Sequence, residues 1–168
     1  MQELLTAEKL PPLVVDADGL NALTHIEKWP GKLPANTVLT PHPAEMARLM
    51  DIPLNELLAQ DRITIAREQA QKWGHIVLLK GAYTVVAAPD GRVTLLPFAN
   101  PALAVGGSGD VLSGMILALL GQGMGVYEAA VLGGYLHGTA GALYAGKSGL
   151  LASELADLVS EAMRKLAE

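Results

Sequence analysis

Five residues, Gly106-Gly107-Ser108-Gly109-Asp110, run directly into the apolar stretch Val111 to Leu120. Three glycines remove the side chains that would keep backbone N–H groups away from a ligand. The first N–H groups of a helix have no partner inside it. With the helix dipole they form an anion site. The pattern therefore predicts a glycine turn at the start of a buried helix, poised for an anion such as phosphate. Asp110 sits at the mouth of that turn. A carboxylate there either caps the helix or takes the proton from a hydroxyl that attacks a bound phosphoryl group. The five residues alone leave both roles open.

Other polar groups stand at the ends of short apolar runs. Leu13-Val14-Val15 leads into Asp16-Ala17-Asp18-Gly19-Leu20-Asn21. Thr37-Val38-Leu39 leads into Thr40-Pro41-His42-Pro43-Ala44-Glu45, and Ile76-Val77-Leu78-Leu79 into Lys80-Gly81-Ala82. Each run has the length and composition of a buried parallel strand. Ligands of open α/β sheets bind at the carboxyl ends of such strands. Asp18 has a second reading as the cap of a helix carrying Leu20, Leu23 and Ile26. Asp16 and Asn21 remain in excess of what one cap needs. Pro43 suits the first position of a helix, which puts His42 in the turn on the ligand edge. Lys80 is either a solvated charge or a cation directed into the cleft.

Several elements must position these groups. Asn55 to Trp73 has the apolar spacing of one amphipathic helix. Residues 83–87 and 92–96 flank Pro89-Asp90-Gly91 as a hairpin. Tyr127 to Ala145 and Ala152 to Leu166 are two further helices, with His137 on the first as a satisfied core or surface residue. Gly141 to Ser148 matches a P-loop in letters alone. Its upstream residues are helical rather than a strand, so Gly146 is expected to be a helix C-terminal cap. The glycine turn at 106 also lacks the third glycine of the dinucleotide fingerprint, since Leu112 stands there.

Composition sets the outer bounds. The chain has 168 residues, 51% hydrophobic and 17% charged, which predicts one domain with a substantial core. Aromatics are scarce, so Leu, Val, Ala and Met must fill it. The net charge of −5 argues against nucleic acid or an anionic membrane as partner. Absence of cysteine removes disulfides and thiolate metal sites and suits a cytoplasmic location. No run is long enough to span a bilayer, and no set of metal ligands is assigned.

Taken together, the four separated motifs around Asp16, His42, Lys80 and Asp110 resemble the ADP- or ATP-dependent NAD(P)H-hydrate dehydratases of the ribokinase-like superfamily. The likeness runs from Leu13 to the last helix. It implies a three-layer α/β/α sandwich with a mostly parallel central sheet. The implied reaction is phosphorylation of the ring hydroxyl in the S epimer of NADH or NADPH hydrate. Loss of phosphate then restores the reduced nicotinamide, which makes the enzyme a lyase of cofactor repair. By that likeness Asp110 is the base, and Gly107, Ser108 and Gly109 form the anion hole. His42, Asp16, Asn21 and Asp110 contact the hydrate. Lys80, Gly81, Ala82, Tyr83, Thr84 and Gly109 contact ADP or ATP, whose phosphates magnesium bridges. Relatives tend to form tetramers.

Two departures accompany the likeness. Family members carry a substantial portion before the strand at Leu13, so residues 1–168 are expected to form a single truncated domain that self-associates or is covered by a missing partner segment. Such a chain is expected to keep the nucleotide half of the site with poor or no dehydratase activity. Val105 stands where relatives often have Thr. Two competing readings are a ribokinase-like kinase of a small metabolite, which leaves a phosphorylated product, and a nucleotide-binding fragment without turnover.

Overall fold

The computed structural model describes residues 10–146 and 148–167. Among these, five strands form one sheet in the order β1 (Leu13–Val15), β2 (Thr37–Leu39), β3 (Ile76–Leu79), β4 (Val85–Ala87) and β5 (Val93–Leu95). The first three are parallel and the last two antiparallel. Val14 pairs with Val38 and Val38 with Ile76, which brings the carboxyl ends of β1, β2 and β3 to one edge. The 85–95 hairpin is shorter than the sequence suggests. Tyr83 and Thr84 stay in the approach to β4, with Tyr83 in the left-handed region.

Alternation along the strands feeds two cores. Leu39, Val77, Leu79 and Val85 face the layer of α1 (Asp18–Leu23), α2 (Pro43–Met50), α3 (Leu54–Leu58) and α4 (Arg62–Trp73). Val38, Ile76, Leu78 and Val86 face α5 (Ser108–Gly121) and α6 (Val126–Leu143). Behind α6, α7 (Ala152–Ala167) buries Leu155 and Ala162. The resulting order is helices, sheet, helices. The first core also holds a pair of tryptophans, Trp29 and Trp73, with ring centroids 5.1 Å apart.

Three local expectations change. The helix expected over Asn55 to Trp73 is broken, because Asp61 accepts the Thr64 N–H at 2.7 Å and starts α4 as its N-cap. α1 stops at Leu23, so Ile26 is buried from the turn beyond it. α6 ends at Leu143 with Tyr144 as C-cap, not Gly146. Gly146 instead lies against the Tyr144 ring, where a Cβ would sit 2.6 Å from the ring. The segment before Gly141 is helix α6 rather than a strand, and the next helix, α7, begins only at Ala152, so the P-loop pattern has no P-loop context; Lys147 lies outside the described residues. Among the described residues, no helix is long and apolar enough to cross a membrane.

Candidate active site

β1, β2 and β3 each deliver a polar residue to the same edge. Asp16, just beyond β1, accepts the Lys80 ammonium at 2.6 Å through Oδ1. The same oxygen accepts the Ala17 N–H at 2.9 Å, while Oδ2 accepts the Ser113 hydroxyl of α5 at 3.1 Å. Lys80 also lies 3.8 Å from Glu45, a carboxylate that is 5% exposed. One cation thus holds two carboxylates that would otherwise be desolvated and repel. Lys80 is directed into the cleft, and the solvated reading is set aside.

His42 is more than a loop histidine. Its Nδ1 accepts the N–H groups of Ala44 and Glu45 at 3.1 and 3.3 Å, so it is the N-cap of α2. Glu45 answers by accepting the His42 N–H at 2.8 Å, which completes a capping box with Pro43 at the first helical position. An acceptor Nδ1 places the proton of a neutral ring on Nε2, which lies 3.2 Å from Glu45 Oε1. Glu45 therefore joins the cap of α2 to Lys80. The sequence motif contained it, and its position three residues after the cap was the available signal.

The glycine turn does start α5, with Gly107 at φ 88° as N-cap and Asp110 in the first turn. The plain-cap reading of Asp110 is thereby corrected: backbone geometry caps this helix, and Asp110 sits three residues inside it. The N–H groups of Gly107 and Gly109 have no partner among the described residues, whereas Ser108 N–H donates to Val105. The Ser108 amide is thus spent locally, which narrows the expected anion hole to its two neighbours. A Cβ on Gly109 would lie 3.2 Å from Asp16 Oδ2 and 3.4 Å from Lys80 Nζ. Its glycine keeps the turn's N–H groups and the lysine on one concave surface. Asp110 is exposed and makes no side-chain hydrogen bond among the described residues.

Between these groups and α6 lies a cavity of about 390 Å³. Its lining includes the polar groups of His42, Lys80, Thr84 and Ser108, the glycines Gly81 and Gly109, and the apolar side chains of Leu96, Phe98, Leu103 and Leu112. Val105 and His137 also face it. His137, expected as a satisfied core or surface residue, is hydrogen-bonded through Nε2 to the Ser108 carbonyl at 3.0 Å and also forms part of the cavity wall. Burial, helped by the nearby Lys80 charge, pushes its pKa down, against a smaller upward effect of that hydrogen bond.

The Lys80–Thr84 segment owes its shape to Arg62, which the sequence reading passed over. Its guanidinium donates to the carbonyls of Leu79, Lys80 and Ala82 at 3.0–3.1 Å. Burial pulls the Arg62 pKa below the usual guanidinium value. Ala82 and Tyr83 do not line the cavity; Tyr83 is half exposed and donates its N–H to Phe98. Asn21 is also outside it and bonds Asp18 at 3.5 Å. Asp18 does not cap α1, since the N-cap position belongs to Ala17. Ala17 takes φ 47°, ψ −118°, in a turn closed by Gly19 N–H to Asp16. A non-glycine residue there stores strain beside the site.

The arrangement suits a polyphosphate with an attached aromatic group. A cation, a glycine cradle with an unpartnered N–H group, and apolar side chains line one cavity. Among the described residues, no three His, Cys, Asp or Glu side chains cluster to hold a metal ion. A magnesium ion held chiefly by substrate phosphates fits such a donor set.

Comparison with known proteins gives a consistent set of relatives. The family model described as NAD(P)H-hydrate dehydratase matches residues 1–165. The bifunctional NAD(P)H-hydrate repair enzyme of Moorella thermoacetica is 45% identical over 98% of this chain and 32% of its own length. The ADP-dependent (S)-NAD(P)H-hydrate dehydratase of Neisseria meningitidis is 40% identical over 97% of this chain and 55% of its own. The chain therefore spans about a third to about half of these curated relatives. Among solved structures, an ADP/ATP-dependent NAD(P)H-hydrate dehydratase of Bacillus subtilis, co-crystallised with ATP and magnesium, superposes with a TM-score of 0.73. It is 39% identical, over 77% of this chain and 48% of that one. A ribokinase-like superfamily protein of Enterococcus faecalis has a TM-score of 0.76 at 24% identity, over 97% of this chain and 56% of that one, and bears on the fold alone.

Proposed function

The chain belongs to the NAD(P)H-hydrate dehydratase family, and we propose that it serves the ADP- or ATP-dependent dehydration of the S epimer of NAD(P)H hydrate. The observation that carries this reading is the meeting of Lys80 and Asp16, from the carboxyl ends of parallel strands, with Gly109 of the glycine turn, at a cavity that Lys80 and Gly109 line together with apolar side chains.

Lys80 and the N–H groups of Gly107 and Gly109 hold the phosphates, while Gly81 and Thr84 shape the nucleotide wall. Charge that develops on a transferred phosphoryl group meets donors already in place. The nucleotide with magnesium supplies that phosphoryl group. Asp110, free of other bonds on the same turn, accepts the proton of the substrate hydroxyl. His42 faces the hydrate from the start of α2, and Asp16 fixes Lys80 between the two ligands. Asn21 borders the hydrate side, and the backbone of Ala82 and Tyr83 borders the nucleotide.

A cytoplasmic setting suits a chain without cysteine. Assembly into homo-oligomers, tetramers by family likeness, suits its half-exposed Leu95, Met163 and Leu166. The test is turnover. Incubation of the chain with (S)-hydrated NADH, magnesium and ADP or ATP supports the reading if it restores the absorbance of reduced nicotinamide and releases phosphate, at a rate expected to be poor for a chain that spans about a third to half of its relatives. Accumulation of a stable phosphorylated product would instead identify a kinase. Nucleotide binding with neither outcome would identify a binding fragment.

A further inference from the structure

α6 presents a wall of glycines to the cavity with a single titratable side chain on it. Gly134 and Gly138 leave room for Leu96 and for the Phe98 ring, which packs directly against Gly138. His137 stands between them. Its Nε2 donates to the carbonyl of Ser108 at 3.0 Å, and the Ser108 hydroxyl donates to Leu103 at 2.8 Å. The first residue of α5 is therefore tied to α6 and to the segment before the glycine turn. His137 Nδ1 has no partner among the described residues, and it is not among the buried unpartnered atoms, which are those of Arg62, Gln69, His75 and Thr139.

The surroundings of the ring decide what that free nitrogen does. From the end of β3, Lys80 lines the same cavity, already engaged by Asp16 and Glu45. From α2, His42 lines the far side, turned to its own helix. From α5, Asp110 is exposed two residues beyond Ser108. From α7, Glu154 is engaged with the Leu151 N–H. Burial pulls the His137 pKa below the ordinary imidazole value, helped by the Lys80 charge and opposed by the hydrogen bond to Ser108. A polyphosphate beside Lys80 and Gly109 reverses the sign of the local charge and favours a cation at the same place.

We propose that His137 is a positioning residue that links nucleotide binding to protons. As a neutral ring it anchors the Ser108 carbonyl through Nε2–H. With a polyphosphate in the cavity it takes a proton from solvent at Nδ1 and presents a second N–H to the anionic ligand. This rests on the nucleotide reading of the cavity.

The test is calorimetric titration of the full chain with magnesium ADP near pH 6.5, in buffers of different ionisation heat, beside His137→Gln. The glutamine amide reaches the same carbonyl and does not titrate. Wild type is expected to take up about half a proton more per ADP than the variant. Its affinity advantage over the variant is expected to grow about three- to fivefold from pH 8 to pH 6, the size that a rise of about one unit in the His137 pKa on binding gives. Equal proton counts overturn the proposal. Should His137→Gln fail to fold, the His137 ring resonance in wild type decides: a titration that moves up in pH on adding ADP supports the link, and an unmoved one overturns it. Failure of wild type to bind ADP at any pH overturns the nucleotide reading itself.

Discussion

Lys80 is the residue on which the site's charge balance turns. Its ammonium stands between Asp16, 13% exposed at the side chain, and Glu45, 6% exposed. Lys80→Met leaves both carboxylates without their cation, and losing one partner of a buried pair costs about 3 kcal/mol. Urea unfolding is expected to show a loss of that size, with ADP affinity reduced by more than about tenfold. Lys80 was legible in the sequence because a lysine that ends an apolar strand has few places to go. Glu45 and Ser113 were not legible in these roles, since each acts through a residue far along the chain: Ser113 bonds Asp16 across 97 positions. His42 was found for its location, but its service as an N-cap depends on a ring orientation that letters do not carry. That His137 would be satisfied was legible, but its place on the cavity wall was not, because its partner is a backbone carbonyl of another helix.

Elements place these residues through contacts of their own. The Lys80–Thr84 segment hangs on Arg62, at the start of α4, and Gly81 makes room for it. Gly81 has φ 142°, and a Cβ there would lie 2.8 Å from Arg62 Nη1. Gly81→Ala must displace a guanidinium held by three carbonyls or bend the segment. Thermal and urea unfolding are expected to show a loss of about 1–3 kcal/mol, with ADP binding weakened in parallel. The break before α4 explains why Arg62 escaped notice. The apolar spacing across residues 55–73 continues through it, while Asp61 restarts the helix by a side-chain bond. Strands, by contrast, were readable almost to the residue, since short β-branched and leucine runs bounded by polar turns leave little choice.

At the scale of the whole molecule, two cores meet on one sheet, and the first is sealed near Trp29 and Trp73 by a buried histidine. His75 is 3% exposed; its Nε2 bonds the Pro30 carbonyl at 2.9 Å, and its Nδ1 has no partner among the described residues. Burial lowers its pKa below the unfolded value near 6.5, against a smaller upward effect of the Pro30 carbonyl. Below that pH the unfolded chain binds the proton more readily than the folded one, so stability is full above pH 6.5 and declines as pH falls from there through the lower folded pKa. Urea midpoints at pH 8, 7, 6 and 5 are expected to fall across that window, and His75→Gln to flatten the slope. The three-layer arrangement was what the family resemblance implied, while the short apolar runs ending in polar residues indicated parallel strands. The antiparallel half of the sheet followed from one Pro-Asp-Gly turn. Asp110 stands in the first turn of α5, and its proposed role as the base is the centre of the account. The most direct test is Asp110→Asn against wild type, with (S)-hydrated NADH turnover and ADP affinity measured on the same samples. A loss of turnover by at least about a thousandfold, with ADP affinity changed by less than about threefold, is the expected result for removal of a general base. Equal turnover in the two proteins would contradict it.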